Sequence, residues 1–198
     1  MKKILSSLLL VFVLNSCVSQ TKFKDGDIIF HTSKSSQSGV IQLLTKSKLS
    51  HCGIIFFKNG KPYVFEAVNP VKLTPLNVWI NRGVGGKYKV VRVNQKIDNY
   101  SRDRMYRYAK SQLGKPYDIK FQWSDSKMYC SELVYKTYIA GDIRLGDCKL
   151  FRDYNISNPI VKKLIAQRFK NDFSKDEPVV SPVDLCYSDK VKLIYSNY

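Results

Sequence analysis

Two side chains in this sequence, Cys130 and His51, have the chemistry of a nucleophile and its general base. Residues 130–139 carry Leu133, Val134 and Thr137 at helical spacing, so that Cys130 lies at the start of a predicted helix. A thiol in that position meets the positive end of the backbone dipole, which stabilises the thiolate. A nearby imidazole can take the thiol proton and later protonate the leaving group. The pair therefore predicts an activated thiol nucleophile.

A predicted β-hairpin places a carboxylate beside His51. Asn59-Gly60 separates two strand-like stretches and is typical of a two-residue hairpin turn. With that turn, Gly53 faces Glu66, and His51 becomes a diagonal neighbour of Glu66 on the same face, at about 7–8 Å between Cβ atoms. A carboxylate on the second ring nitrogen fixes the orientation of an imidazole. We therefore predict that Cys130, His51 and Glu66 act together.

Each of these residues also has a structural interpretation. A cysteine at a helix start is more often a small buried residue, whereas Glu66 lies in an apolar strand, where carboxylates are seldom buried without compensation. Cys52 points to the other face of the strand and is left out of the site. His31 is expected in a solvated loop beyond a strand end, as a weaker candidate base. Glu132 is expected on the helix surface or in a salt bridge with Lys136.

The rest of the pattern predicts a single mixed α+β domain. Strands are expected at residues 27–30 and 87–93, and helices at residues 38–45 and 100–113. Ser181-Pro182-Val183-Asp184 has a capping serine, a proline in the first position and an acid in the third, which is typical of a helix start. We found no internal repeat or low-complexity tract in the chain after its first segment.

The chain is strongly basic, with a formal net charge of +17. Removing residues 1–16 subtracts only Lys2 and Lys3 and leaves +15. Such a charge can attract nucleic acid, anionic lipid or an acidic wall polymer. Since the lysines are scattered and no Arg-rich helix or RNA-binding signature accompanies them, we expect no specific nucleic-acid partner. A solvated basic surface is the favoured interpretation.

The first residues have the layout of a bacterial export signal. Lys2 and Lys3 precede an apolar run over residues 4–14, which is shorter than the about 20 residues that a membrane helix needs. Leu14-Asn15-Ser16-Cys17 resembles the end of a lipoprotein signal, after which Cys17 would be lipidated and would hold the domain at a membrane. We expect a lipid-anchored protein of the bacterial cell envelope, with an ordinary secretory signal as the alternative.

The other cysteines do not predict a metal site or a disulfide framework. Their spacing contains no CxxC pair, and only two histidines accompany them. An exported protein nevertheless permits disulfides, and the sequence allows a Cys148–Cys186 bridge.

Three segments together resemble a known family, the permuted papain-like amidases of the NlpC-related superfamily, and in particular their YiiX-like branch. The segments are Gly26-Asp27-Ile28-Ile29-Phe30; Ser50-His51-Cys52-Gly53-Ile54 with Phe65-Glu66-Ala67; and Gly114-Lys115-Pro116-Tyr117-Asp118 with Tyr129-Cys130-Ser131-Glu132-Leu133-Val134. Unpermuted relatives place the cysteine helix first, whereas here His51 and Glu66 precede Cys130. The resemblance implies an α+β fold in which a small antiparallel sheet or barrel packs against the helix that carries the cysteine.

The resemblance also implies roles for single residues. It makes Cys130 the nucleophile, His51 the base and Glu66 the orienting residue. Tyr117, which lies 13 residues before Cys130, matches a tyrosine that stands beside the nucleophile and helps to hold the oxyanion. Such a donor is worth about 3 kcal/mol of barrier. No metal or other cofactor is expected.

The expected activity is hydrolysis of an amide or ester through a covalent acyl-enzyme, acting on a cell-wall peptide, a small amide or a lipid ester. The expected organisation is a signal peptide at residues 1–16, a tether at 17–23 and one hydrolase domain at 24–198. The alternative is a non-catalytic envelope lipoprotein that binds a peptide or wall fragment in the same cleft. A third possibility, a basic polymer-binding protein, predicts binding that depends strongly on salt and survives loss of Cys130.

Overall fold

An antiparallel sheet of six strands organises the fold. The computed structural model describes residues 23–170 and 172–198, so the predicted signal and the lipidation of Cys17 lie outside the described residues. The strands of the sheet are β1 Ile28–His31, β2 His51–Lys58, β3 Lys61–Glu66, β4 Lys72–Pro75, β5 Lys89–Val93 and β8 Val191–Ser196, and a separate short pair is formed by β6 Lys149–Leu150 and β7 Pro178–Val179. Across the six-stranded sheet the order is β4-β3-β2-β1-β5-β8.

Six α-helices connect and cover these strands in the described part of the chain. They are α1 Ser38–Thr45, α2 Leu76–Asn81, α3 Asn99–Ser111, α4 Cys130–Ala140, α5 Pro159–Phe169 and α6 Pro182–Cys186, and short 3-10 turns occupy Val84–Gly86 and Phe151–Asp153. The predicted α+β class and antiparallel sheet are therefore confirmed. None of the helices in the described ranges combines the length and the apolar character needed to cross a membrane.

The β2–β3 hairpin has the register that the Asn-Gly turn predicts. Lys58 pairs with Lys61 across the turn, and Ile54 pairs with Phe65 further along the two strands. Because side chains alternate along a strand, this register directs His51 and Glu66 to one face of the sheet. The second strand of the hairpin ends at Glu66.

The two faces of the sheet carry different apolar clusters. On one face, α3 and α4 pack against strand residues in the larger core, whose members include Ile28, Ile54, Phe65, Met105, Leu133 and Val134. On the opposite face, Trp79 of α2 packs against Ile29, Ile55 and Val64. Alternate side chains of β2 point into the two layers, so that His51 lies on one face of the sheet and Cys52 on the other.

Polar contacts fix the elements at the edges of these layers. Arg92 donates to both carboxylate oxygens of the buried Asp27, with Nε to Oδ1 at 2.6 Å and Nη2 to Oδ2 at 2.8 Å, which ties β5 to the start of β1. The predicted start of α6 is confirmed, since Ser181 caps the helix and its backbone N–H donates to Asp184 at 3.0 Å. The Cys148–Cys186 bridge is not formed, because both cysteines are free.

Gly53 allows β2 and β3 to approach closely beside the site. A Cβ atom at Gly53 would lie 2.4 Å from Cγ1 of Val64 and 2.7 Å from the carbonyl oxygen of Phe65. We therefore expect Gly53→Ala to lower the free energy of unfolding by roughly 1–3 kcal/mol through overpacking. Urea unfolding followed by circular dichroism measures the change.

Gly39→Ala provides the matched control for this prediction. A Cβ atom at Gly39 meets no other atom within 4 Å, and the residue lies within α1. The control should raise the free energy of unfolding by roughly 0.4–1 kcal/mol, because alanine loses less backbone freedom on folding. Equal stability of the two variants would contradict the close approach at Gly53.

Candidate active site

Cys130 is the first residue of α4 and is only 1% exposed. The helix start is held on both sides of the cysteine: the backbone N–H of Tyr129 donates to Glu132 Oε2 at 3.3 Å, and the Ser131 hydroxyl donates to the Val180 carbonyl at 2.7 Å. The thiol is therefore fixed at the positive end of the helix, where a thiolate is stabilised.

His51, the first residue of β2, forms a short hydrogen bond with Glu66. The His51 Nε2 atom lies 2.8 Å from Glu66 Oε2, and both side chains are buried. The other carboxylate oxygen, Oε1, accepts a hydrogen bond from Thr74 Oγ1 at 2.6 Å and a short one from Arg82 Nη2. Since Glu66 occupies Nε2, the ring nitrogen Nδ1 remains for Cys130.

Glu66 and His51 each stabilise the charged form of the other. Burial by itself disfavours both charged forms, and it is the largest single effect on each group. The partners of Glu66, namely His51, Thr74 and Arg82, outweigh it and lower the pKa of the Glu66 carboxyl to about 2. Hydrogen bonds with Cys130 and Glu66 likewise raise the pKa of His51 to about 9. At neutral pH, His51 is thus an imidazolium and Glu66 a carboxylate.

The pKa of the Cys130 thiol lies well below its usual range. The largest cause is a side-chain hydrogen bond from Cys52; burial acts against it, and the hydrogen bond and charge of His51 add to the lowering. The pKa of Cys52 is raised in return, first by burial and then by the contact with Cys130. Cys52 does face away from His51, as predicted, but leaving it out of the site was wrong. The face to which it points is the one on which α4 packs.

Tyr117 reaches Cys130 although 13 residues separate them in the chain. Tyr117 forms an isolated parallel bridge with Met128, and the Met128 backbone N–H donates to the Pro116 carbonyl at 3.0 Å. This pairing folds the intervening loop back on itself and sets the phenol beside the thiol. Burial, the nearby sulfurs of Cys130 and Cys52 and a hydrogen bond with Cys130 raise the pKa of Tyr117, so the phenol keeps its proton.

His31 is not a solvated loop residue, and that expectation was wrong. It is the last residue of β1, is 1% exposed and stacks on Trp79 with ring centroids 3.9 Å apart. Burial and the adjacent charge of His51 lower its pKa to about 2, so the ring stays neutral. Trp79 also stacks on His51 at 5.9 Å between centroids. The aromatic layer therefore orients the His51 ring.

Glu132 is buried, so the expectation that it lies on the helix surface was wrong. The expected salt bridge is present, with Lys136 Nζ 2.8 Å from Glu132 Oε1. Burial raises the pKa of Glu132 to about 7 despite this partner. Its carboxyl belongs to the start of α4 and is not a partner of His51.

A larger cleft with mixed polar and apolar lining and a small apolar cavity lie beside the Cys130 site. The cleft has a volume of about 560 Å³ and is lined by His51 and Tyr117, two of the side chains that contact the Cys130 thiol. The cavity is much smaller, about 30 Å³, and is lined by Cys130 itself together with apolar residues that include Phe121 and Phe151. Ile41 lies between them and lines both. His51 and Tyr117 thus connect the cleft to the Cys130 thiol.

The sequence did not single out three residues that support this arrangement. Thr74 and Arg82 bind the far oxygen of Glu66, and Trp79 stacks on His51. The only sequence signal was indirect, because a carboxylate in an apolar strand requires buried partners. Neither their identity nor their position followed from local spacing.

Two relatives resemble the chain over most of its length. The uncharacterized protein YiiX of Escherichia coli K12 is 43% identical over 177 residues, which cover 87% of this chain and 88% of the relative. A crystal structure described as metalloprotein yiiX from Escherichia coli O157:H7 has a TM-score of 0.83 and 42% identity, covering 88% of this chain and 98% of that one.

The word metalloprotein in that description can be tested against the side chains of this chain. Within residues 23–170 and 172–198, no group of three or more His, Cys, Asp or Glu side chains is arranged to hold a metal ion. The ring nitrogens of His51 are engaged by Glu66 and Cys130, and the carboxylate of Glu66 is engaged by His51, Thr74 and Arg82. The polar atoms of His51 and Glu66 therefore all have partners within the protein.

The family follows from a match that covers nearly the whole described chain. A family model described as "Permuted papain-like amidase enzyme, YaeF/YiiX, C92 family" matches residues 22–195. The matched range contains the cysteine helix, the hairpin with His51 and Glu66, and the loop with Tyr117, in the permuted order. The protein belongs to the YaeF/YiiX family of permuted papain-like amidases.

Proposed function

We propose that this protein is a cysteine amidase or acyl hydrolase in which Cys130 attacks a substrate carbonyl and His51 transfers the protons. The observation that carries the proposal is the buried series of contacts in which Glu66 holds His51 at 2.8 Å and His51 hydrogen-bonds Cys130; these contacts lower the pKa of Cys130 and raise that of His51. Shifts in these directions favour a thiolate–imidazolium pair at neutral pH. Such a pair is a nucleophile and a general acid already in their reactive forms.

In the first half of the reaction, the Cys130 thiolate forms a bond to the carbonyl carbon. The carbonyl electrons move to oxygen and return as the bond to the leaving group breaks. The His51 imidazolium gives its proton to the departing amine or alkoxide, so that a neutral amine or alcohol leaves and a thioester remains on Cys130.

In the second half, water replaces the thiol. The neutral His51 imidazole takes a proton from the attacking water, whose oxygen bonds to the thioester carbon. Breaking of the carbon–sulfur bond releases the carboxylic acid and regenerates the thiolate beside the imidazolium. The Glu66 carboxylate stays ionised throughout and orients the ring.

Tyr117 is our candidate for the oxyanion donor. Its phenol contacts Cys130 and keeps its proton, since its pKa is raised. A donor in this position can stabilise the negative charge that develops on the substrate oxygen next to the attacking sulfur. This function needs the hydroxyl group and not merely the ring.

We propose that the enzyme acts at a membrane surface of the bacterial envelope, held there by a lipidated Cys17. The support is the lipoprotein-like Leu14-Asn15-Ser16-Cys17 sequence together with the charge of +15 that remains after residues 1–16 are removed. Cationic side chains near an anionic surface each add to membrane attraction. Cell-wall peptides, small amides and lipid esters are the substrate classes that this location offers.

Cys130→Ala should abolish turnover while the domain remains folded, because the variant has no sulfur to form the thioester. The measurement combines a panel of acyl-peptides, amides and lipid esters with intact-mass detection of an acyl adduct on the wild-type domain. Circular dichroism checks the fold of the variant. Cys148→Ala, which removes a thiol that no proposed step uses, is the matched control and should keep both turnover and adduct.

An alternative outcome would identify a binding protein instead of an enzyme. If no panel member acylates the protein and all cysteines are alkylated at similar rates, the enzymatic proposal is wrong. The same cleft would then serve to retain a ligand.

The reactivity of Cys130 toward iodoacetamide should persist well below pH 8, because the thiolate is lost only as the pH falls through the lowered pKa. Cys186, whose pKa burial raises to about 11, should stay unreactive at neutral pH. His51→Ala should slow alkylation of Cys130 at pH 6 by about tenfold or more, since one pKa unit changes the thiolate fraction by that factor. Peptide mapping after timed alkylation measures each site.

Hydrolysis should have an upper pH limit that alkylation lacks. The raised pKa of His51 means that its imidazolium is present at neutral pH and is lost as the pH rises through about 9. Above that pH, kcat/KM should fall because no general acid remains, while alkylation of the thiolate continues. A hydrolysis rate that keeps rising with pH above 9 would argue against His51 as the acid.

Tyr117→Phe should lower kcat/KM by about a hundredfold, the cost of losing one oxyanion donor. Its alkylation rate should change much less, because iodoacetamide develops no oxyanion. Tyr63→Phe, which removes a hydroxyl from the partly buried Tyr63 of β3, is the control. Equal hydrolytic rates in the two variants would remove Tyr117 from the oxyanion site.

A further inference from the structure

The cleft that His51 and Tyr117 line also carries cations, hydroxyl groups and apolar side chains, and no carboxylate among the described residues lines it. Its polar lining includes Ser33, Lys34, Ser35, Ser50, Asn69 and Arg82. Gln37 and Ile119 also line the cleft, and both accept hydrogen bonds from Arg168. Arg168 donates to Gln37 Oε1 at 2.6 Å and to the Ile119 carbonyl at 3.1 Å. This lining favours a negatively charged occupant.

Lys34 is the cation that is free to meet such an occupant. Its side chain is exposed at the cleft, and it forms no ion pair with any residue in the described ranges. Arg82, in contrast, is committed to Glu66, and the hydrogen bonds of Arg168 go to neutral oxygens. Lys34 therefore brings a positive charge that the protein itself does not neutralise.

The other charges at the site largely cancel. The Cys130 thiolate balances the His51 imidazolium, and Glu66 balances Arg82. Asp118, the remaining acid beside Tyr117, does not line the cleft, and its carboxylate accepts the backbone N–H groups of Lys120 at 2.8 Å and Gln122 at 2.9 Å. With Lys34 and Arg168 added, the region near the cleft keeps a net positive charge.

We propose that the cleft binds an anionic oxygen group of the substrate, a carboxylate or a phosphate, and that Lys34 is its electrostatic anchor. The substrate would then be an acyl compound with a negative group near its scissile carbonyl. This inference rests on the proposed function, since it assumes that substrates reach Cys130 along the cleft. Lys34 is a specificity residue here and takes no part in the bond-forming steps.

Two alkylating agents of similar size and different charge test the proposal without a known substrate. Iodoacetate is anionic and iodoacetamide is neutral, and both react with the Cys130 thiolate. The ratio of their second-order rates, divided by the same ratio for free cysteine, measures attraction of the anion to the site. We expect a normalised ratio of about fivefold or more at low ionic strength, which falls as salt screens the cleft.

Lys34→Gln identifies the source of that attraction. It should lower the normalised ratio by about threefold, whereas Lys58→Gln, which removes the same charge from the exposed far end of β2, should leave it unchanged. The two positions are separated by most of the strand, because His51 and Lys58 lie about 23 Å apart along it. Dividing by the iodoacetamide rate corrects for any change in the thiolate itself.

Protection experiments distinguish the two sources of an anionic group. Inorganic phosphate and acetate are added separately at matched ionic strength, and slower alkylation of Cys130 by iodoacetate with either one supports the proposal and identifies the preferred group. A normalised ratio near one, or the same ratio in wild type and Lys34→Gln, would overturn the proposal while leaving the cysteine hydrolase intact. Loss of Cys130 reactivity toward both reagents would overturn both.

Discussion

The active-site arrangement depends on the buried, ionised carboxylate of Glu66. A carboxylate that is 0% exposed is costly unless opposite charge and hydrogen bonds compensate it. Arg82, Thr74 and His51 provide that compensation on both oxygens. Because Glu66 stays ionised, it favours the imidazolium form of His51, and that charge in turn favours the thiolate of Cys130. If Glu66 lost these partners, both the imidazolium of His51 and the thiolate of Cys130 would be less favoured.

Several elements must meet for Glu66 to be satisfied. The β2–β3 hairpin sets His51 beside it, β4 brings Thr74 opposite Val64, and Arg82 follows directly after the last residue of α2. The two hairpin strands approach closely at Gly53, where an added Cβ atom would lie 3.5 Å from Cβ of Glu66. The partners of the Glu66 carboxylate are therefore gathered near α2. The opposite face of the sheet packs against the larger core and against α4, which carries Cys130.

Much of the site was predictable because its information is local. The Asn-Gly turn fixes the hairpin register, and alternation along the strands then puts His51 and Glu66 on one face. The start of α4 at Cys130 follows from helical spacing in a short window. The family resemblance added Tyr117, and the structure brings its phenol to the thiol through the Met128 bridge.

The sequence by itself therefore determined the residue types of the proposed nucleophile and base, the hairpin and the α+β class. The tertiary structure decided which side chains surround them. Cys52 faces away from His51 yet contacts Cys130, because α4 packs on that face of the sheet. His31 became part of an aromatic stack because α2 covers its strand. Such contacts join residues far apart in the chain, and neither spacing nor propensity specifies how layers pack against each other.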